Sequence, residues 1–395
     1  MLSGTSALLS AITSVDQDRG EAVLATVVKV AGSAYRRPGA RMLIPLYGGT
    51  VGTISGGCLE SEVAQKAWWL TDGGEAVIRR YSTATQDDDD DQDAALTFGL
   101  GCNGTVYVLL ERHSAQRPLA VLDLLRLVRE SGQGGAMATV IASHRNAQAK
   151  VGDHLMLHPQ RHDNSPRLEP ALDQQIRADL ATTLTQGRST LRSYHDGQGE
   201  VEVFCEYLAP QRRLVIFGAG HDAQPLVHMA KLMDWHVTVI DGRAHFARPE
   251  RFAEADAVLT VSTHQPYSLQ HLTDGAVVAV MTHSYSQDRH WLGAVLQGEP
   301  LYVGQLGPRE RTERLLGEIG AQACDMPALD RLHYPIGLDI GGDTPESVAT
   351  AILAEITATL NQRNGGMLKH RRASIHAPTQ QDALDIETTL RLTAS

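Results

Sequence analysis

No stretch of this sequence approaches the run of ~18 apolar residues that a membrane-spanning helix needs, so a helical span is excluded. The first fourteen residues lack the basic start of a secretory signal. They read instead as an amphipathic helix carrying Leu8, Leu9 and Ile12, and the cytoplasm is the expected location. Cysteine is scarce. Cys58, Cys102, Cys205 and Cys324 stand far apart without a CxxC pair, which argues against a zinc site or disulfide framework and for free thiols in a reducing compartment. Positive charge is short as well: 35 Lys and Arg face 46 Asp and Glu, a net charge of -11. Non-specific binding to nucleic acid or anionic lipid is therefore excluded, and any anionic ligand must be met by a local site. Aromatic residues, at 5%, are too few for nucleic-acid stacking platforms, and the abundant Gly and Ala suit close-packed α/β layers.

What is present has the balance of a soluble globular protein, and 395 residues are too many for one ordinary core. The first half is β-rich. Apolar patterning predicts strands over 22–30, 41–45, 51–54, 76–81, 105–110, 137–143 and 201–207, and helices over 59–70, 119–129 and 165–192. The acidic run 86–93 reads as a solvated loop, with metal binding as the alternative. The second half alternates short apolar runs at 214–217, 237–240, 257–261, 276–281 and 301–303 with helical stretches at 225–233, 289–296 and 309–319. That alternation implies a parallel sheet covered on both faces. A last helix over 347–360 is announced by Thr344 as its cap and Pro345 in its first turn. The expected class is α/β: an N-terminal β-rich α+β domain over 1–209, a C-terminal Rossmann-like doubly wound domain over 210–361, and a poorly ordered tail over 362–395.

Three segments carry chemistry. The run 214–217 leads directly into Gly218-Ala219-Gly220-His221-Asp222-Ala223, a G-x-G-x-x-A fingerprint with a strand before it and a helix after it. Gly218 permits the tight turn, Gly220 lets backbone N–H groups approach a phosphate, and the helix start supplies partial positive charge. Asp241, 23 positions after Gly218, stands where a ribose-binding carboxylate is expected. Arg243 can instead accept a 2′-phosphate, so NAD and NADP both remain open, as does a scaffold that no longer binds either.

The other two segments lie in the first half. Ser55-Gly56-Gly57-Cys58-Leu59-Glu60 and Phe98-Gly99-Leu100-Gly101-Cys102-Asn103-Gly104 each set a cysteine among glycines, which lets a ligand reach the sulfur closely. Cys58 also opens a helix, where the dipole favours a thiolate, a soft ligand for a transition metal or for sulfur transfer. The alternative is two small buried residues in strand turns. Arg36, Arg37 and Arg41 lie in a glycine-bounded loop and suit an anion, or else form a solvated turn.

Together these segments resemble the XdhC/CoxI family, accessory proteins of molybdenum hydroxylases. The resemblance rests on Gly32-Ser33, Arg36, Pro38-Gly39-Ala40, Gly52, the two glycine-cysteine loops, Gly218-Ala219-Gly220-His221, Thr282-His283, Tyr302-Val303-Gly304-Gln305-Leu306-Gly307 and Pro335-Ile336-Gly337-Leu338-Asp339-Ile340-Gly341. Tyr35 stands where the family commonly has proline, Asn103 where it has glycine, and Pro308 where serine is usual. The resemblance implies a maturation factor that binds molybdenum cofactor, as molybdopterin or its dinucleotide form, and assists its sulfuration and insertion into a xanthine-dehydrogenase-like molybdenum hydroxylase. It implies a cofactor chaperone without turnover of its own and a cysteine desulfurase as a second partner; a homodimer is an expectation separate from the resemblance. Cofactor binding would then fall to Arg36, Arg37, Gly56, Gly57, Cys58, Gly101, Cys102, Gly218, Gly220, His221 and Asp241, with Cys58 and Cys102 at the metal. For a dinucleotide cofactor, the Gly218 turn and Asp241 have the chemistry to hold pyrophosphate and ribose. Two other readings stay open: an NAD(P)-dependent oxidoreductase using His221, His283 or Asp288 as acid or base, and a nucleotide-sensing regulator.

Overall fold

The computed structural model describes residues 4–32, 34–57, 59–82, 96–97, 104–144, 147–162, 168–195, 199–263, 268–320 and 326–372. Cys58, Gly101, Cys102, Asn103, Cys324, the acidic run 86–93 and the segment beyond 372 lie outside them. The chain divides into two compact units, Met1–Gln211 and Arg212–Ser395.

The first unit runs α1 (Thr5–Gln17), β1 (Glu21–Gly32), β2 (Arg41–Pro45), β3 (Val51–Gly52), α2 (Glu60–Leu70), β4 (Val77–Ser82), β5 (Leu96–Thr97) and β6 (Gly104–Ser114). It continues through α3 (Ala120–Ser131), β7 (Gly135–Ser143), β8 (His154–His158), β9 (Arg161–His162), α4 (Pro170–Gln186), β10 (Thr190–His195) and β11 (Glu200–Leu208). A six-stranded sheet has the order β3-β2-β1-β6-β4-β5, and a five-stranded sheet the order β10-β11-β7-β8-β9. The near-continuous apolar run of β1 follows from burial on both faces. Val23, Ala25 and Val27 pack with Val63 and Ala67 of α2, while Ala22 and Leu24 pack with Leu8, Leu9 and Ile12 of α1 and Leu122 of α3.

Two strands here escape periodicity. β8 reads His-Leu-Met-Leu-His, but both histidines are buried and partnered: His154 bonds Glu111 and Thr139, and His158 bonds Ser131. The helix expected to reach residue 192 ends at Gly187, which adopts φ 63, and β10 follows in pairing with β11. Left-handed glycine is a common helix stop.

The second unit runs β12 (Arg213–Phe217), α5 (Ala223–Leu232), β13 (His236–Asp241), β14 (Ala257–Thr260), α6 (Gln270–Thr273) and β15 (Val277–Val280). It ends with α7 (Tyr285–Leu296), β16 (Tyr302–Gln305), α8 (Arg309–Ile319), β17 (Leu332–His333) and α9 (Pro345–Leu360). All pairings are parallel, in the order β14-β13-β12-β15-β16-β17. One face buries α5 and α9 through Leu226, Val227, Ile352 and Ile356, and the other buries α7 and α8 through Trp291, Leu292 and Leu315. This is the doubly wound arrangement expected. Strand order reverses between β12 and β15, and open sheets of this kind bind ligands outside the strand C-termini at such a reversal. Among the described residues, no helix is long and apolar enough to cross a membrane.

Candidate functional site

In the first unit, strand register gathers the motif loops. Gly32 pairs with Gly104, Ser82 with Thr105, and Met42 with Gly52. The segments 33–40, 53–59 and 83–103 therefore all attach at one end of the six-stranded sheet. The loop ahead of Cys58 is shaped by Glu60. Its Oε1 accepts from Thr53 Oγ1 at 2.7 Å, Ile54 N at 3.2 Å and Ser55 N at 2.8 Å, and its Oε2 accepts from Ser55 Oγ at 2.5 Å. Ser55 Oγ in turn accepts from Gly57 N and Leu59 N, both at 3.2 Å. The residues on either side of Cys58 are thus tied to one hydroxyl. Gly57 adopts φ 110, and a Cβ there would meet nothing within 4 Å, so backbone conformation rather than crowding requires glycine.

The arginine loop divides. Arg41 forms a bidentate pair with Glu206 and also bonds Gly39 O, so it is committed to the interior of the unit. Arg36 is half-buried and Arg37 exposed, at the sheet end that carries the glycine-cysteine loops. Tyr35 is 72% exposed, and its ring lies 3.7 Å from where a Cβ on Gly56 would sit, so the aromatic ring and the bare glycine face each other.

In the second unit, the Gly218 turn follows β12. Gly218 has φ 123, and a Cβ would fall 2.4 Å from Met281 O, so both conformation and space require glycine. Beneath the turn, Asp241 is fully buried at the end of β13. Its Oδ2 accepts from Ala219 N at 2.9 Å and from an Arg243 terminal nitrogen at 2.8 Å. Its Oδ1 accepts from Arg243 N and Arg243 Nε, both at 2.9 Å. Burial alone would raise the carboxyl's pKa, but these bonds, chiefly from Arg243, hold it below its ordinary value, and the pair raises that of Arg243. Arg251 secures the turn from the side through Ala219 O at 2.8 Å.

Several residues here were not legible as a set. Asp222 folds back over Gly220, where a Cβ would come within 2.4 Å of its Oδ1, and its Oδ2 lies 2.7 Å from Nε2 of His283. His283, with φ 57, links the β15 loop to the phosphate turn, while His221 stands exposed. Asp288 is buried and bonds Thr282 N at 3.1 Å, Thr282 Oγ1 at 2.5 Å, Gln305 Nε2 at 3.2 Å and Arg311 at 2.7 Å. That network joins the ends of β15 and β16. Gly304 carries no side chain because Ile336 fills the space, 2.1 Å from a would-be Cβ. Glu355 holds the Ile336-Gly337 segment through Gly337 N, Tyr302 and His333. Pro308 takes an extended conformation as the N-cap of α8, which forms without that N–H. In sequence Asp222, Asp288 and Glu355 stand apart from the residues they bond, and only the fold supplies those partners.

Comparisons with known proteins follow the same division. The XdhC and CoxI family profile matches residues 16–82, and the XdhC Rossmann domain profile matches 214–356. A Bacillus subtilis (strain 168) protein, named as a probable xanthine dehydrogenase subunit, is 31% identical over 343 residues, covering 87% of this chain and 94% of its own length. The Escherichia coli (strain K12) molybdenum cofactor insertion chaperone PaoD is 24% identical over 340 residues, covering 85% of this chain and 83% of its own. A crystal structure of a Bacillus halodurans protein described as a xanthine dehydrogenase superposes with a TM-score of 0.68 at 26% identity, over 95% of this chain and 98% of that one.

Proposed function

The chain belongs to the XdhC and CoxI family, and from that premise we propose that it is a maturation factor which carries molybdenum cofactor to a xanthine-dehydrogenase-like molybdenum enzyme. The names of the relatives supply the coarse role, cofactor insertion for such an enzyme. The cofactor is cargo rather than a resident catalyst, so the role asks for binding, shielding and release, with no turnover. Sulfuration of the cargo by a cysteine desulfurase partner belongs to the same reading.

The observation that carries it is the Glu60–Ser55 clamp, which fastens the backbone on both sides of Cys58 at the sheet end that also bears Arg36 and Arg37. The donor chemistry fits the cargo. Guanidinium groups match the oxygens of its phosphate, and thiolates of Cys58 and Cys102 are soft donors suited to its metal end. Gly57 leaves the approach open, and the ring of Tyr35 borders it over Gly56. The Gly218 turn, with Gly220, His221 and the start of α5, supplies a second seat for an anion.

Metal and pterin analysis of the purified full chain beside Cys58→Ala and Cys102→Ala tests this. Wild type is expected to retain molybdenum and pterin, and each variant to retain several-fold less. Equal retention in all three would remove the cysteines from the site. Absence of pterin from wild type after expression with the cofactor pathway active would remove the role.

A further inference from the structure

Sequence position makes Asp241 the ribose acceptor of the Rossmann unit, yet the carboxylate has no acceptor capacity left. An ionised carboxylate offers about four lone-pair sites. Here four donors of the chain itself take them: Ala219 N, Arg243 N, Arg243 Nε and an Arg243 terminal nitrogen, at 2.8 to 2.9 Å. Asp241 is also wholly buried. The guanidinium meets both carboxylate oxygens at once, as a vicinal ribose diol would.

Arg243 is not loosely placed. The same terminal nitrogen donates to Thr282 O at 3.1 Å, and the guanidinium carbon lies 4.2 Å from the centroid of the Phe246 ring. Withdrawing it would leave a buried charge unpaired, which is strongly unfavourable. The carboxylate of Asp222 lies against Gly220 at the start of α5, held there by His283.

We propose that Arg243 is the specificity-determining residue of this unit: it occupies the ribose seat, so that a nucleotide's 2′-hydroxyl is not read by Asp241. The unit keeps the Rossmann turn without the diol recognition that normally accompanies it. A dinucleotide cargo would accordingly find no ribose contact at Asp241. The inference stands on the second unit's geometry alone and does not depend on the maturation role.

The test is calorimetric titration of the full chain with ADP and with 2′-deoxy-ADP, for wild type, Arg243→Ala and Arg243→Lys. Wild type is expected to bind the two within about twofold of each other, or to bind neither, because no hydrogen bond to a charged acceptor distinguishes them. Arg243→Ala frees one acceptor site on each carboxylate oxygen, the two backbone donors remaining, and is expected to prefer ADP by about tenfold, the usual worth of such a bond. Arg243→Lys keeps a cation beside the buried carboxylate but cannot span both oxygens, and is expected to show the preference at reduced size. It carries the test should Arg243→Ala fail to fold. A wild type that prefers ADP and loses the preference in Asp241→Asn would overturn the proposal. So would a folded Arg243→Ala, or failing that Arg243→Lys, that treats the two nucleotides alike. A purely structural role for Arg243 would lower stability without creating 2′-hydroxyl discrimination.

Discussion

At Glu60, burial alone would raise the carboxyl's pKa, and hydrogen bonds from Ser55, Thr53 and the backbone outweigh it, holding the group below its ordinary 4.5. A group depressed in the folded state contributes stability that is fully present above its unfolded pKa and is lost as pH falls through the folded one. Glu60→Gln, which removes the charge while keeping the shape, is therefore expected to lower the urea midpoint most at neutral pH. The gap between variant and wild type should close as the pH drops below 4.5. A gap unchanged from about pH 7 to about pH 3 would mean that the clamp draws nothing from ionisation. Glu60 was visible in the sequence only as an acidic residue in a helix's first turn. That it reaches back to four donors on three residues before Cys58 depends on how the chain turns at Gly56 and Gly57, which no periodicity records. Asp241 shows the same limit from the other side. Its place at a strand end could be read from spacing, but the direction Arg243 takes, inward to the carboxylate or outward to a phosphate, could not.

Among elements, α9 was the most legible, because its punctuation is local. Thr344 accepts from Ser347 N, Ser347 Oγ accepts from Thr344 N, and Pro345 occupies the first turn, a reciprocal cap written within four residues. Thr344→Ala is expected to lower stability by about 1 kcal/mol, read as a shift in the thermal midpoint of the full chain. Since the cap is exposed, a loss below about 0.3 kcal/mol would show that water replaces the hydroxyl and that packing of Ile352 and Ile356 alone holds the helix. Strands β12, β13, β15 and β16 of the second unit were legible for a different reason: both their faces are buried, so they are plain apolar runs. β8 and β10 were not. In β8 the alternation is broken by buried histidines that find partners, and β10 follows so closely on a polar helix that only residues 187–189 separate them.

Each unit draws its core from its own residues. The clusters of the first unit use side chains between Leu8 and Leu208, and those of the second between Leu214 and Leu360. A domain with a self-contained core can fold alone. Residues 212–372 expressed by themselves are expected to give an α/β circular dichroism spectrum and one cooperative thermal transition. A gradual, featureless melt would show that this unit depends on the rest of the chain. The same separation explains how much of the whole could be read in advance. Class and the alternation of strands and helices follow from patterns inside each unit, whereas the networks around Asp241 and Asp288 join strand ends that are distant in sequence.

The turn between β2 and β3 bears on practice. Because Met42 pairs with Gly52 and Leu43 with Val51, residues 46–50 lie at the opposite end of the six-stranded sheet from the three motif loops. Tyr47 is 85% exposed there, and Cβ atoms at Gly48 and Gly49 would meet nothing within 4 Å. A fluorophore or affinity handle grafted into that hairpin can label or immobilise the protein while leaving the opposite end of the sheet free to meet whatever docks on it.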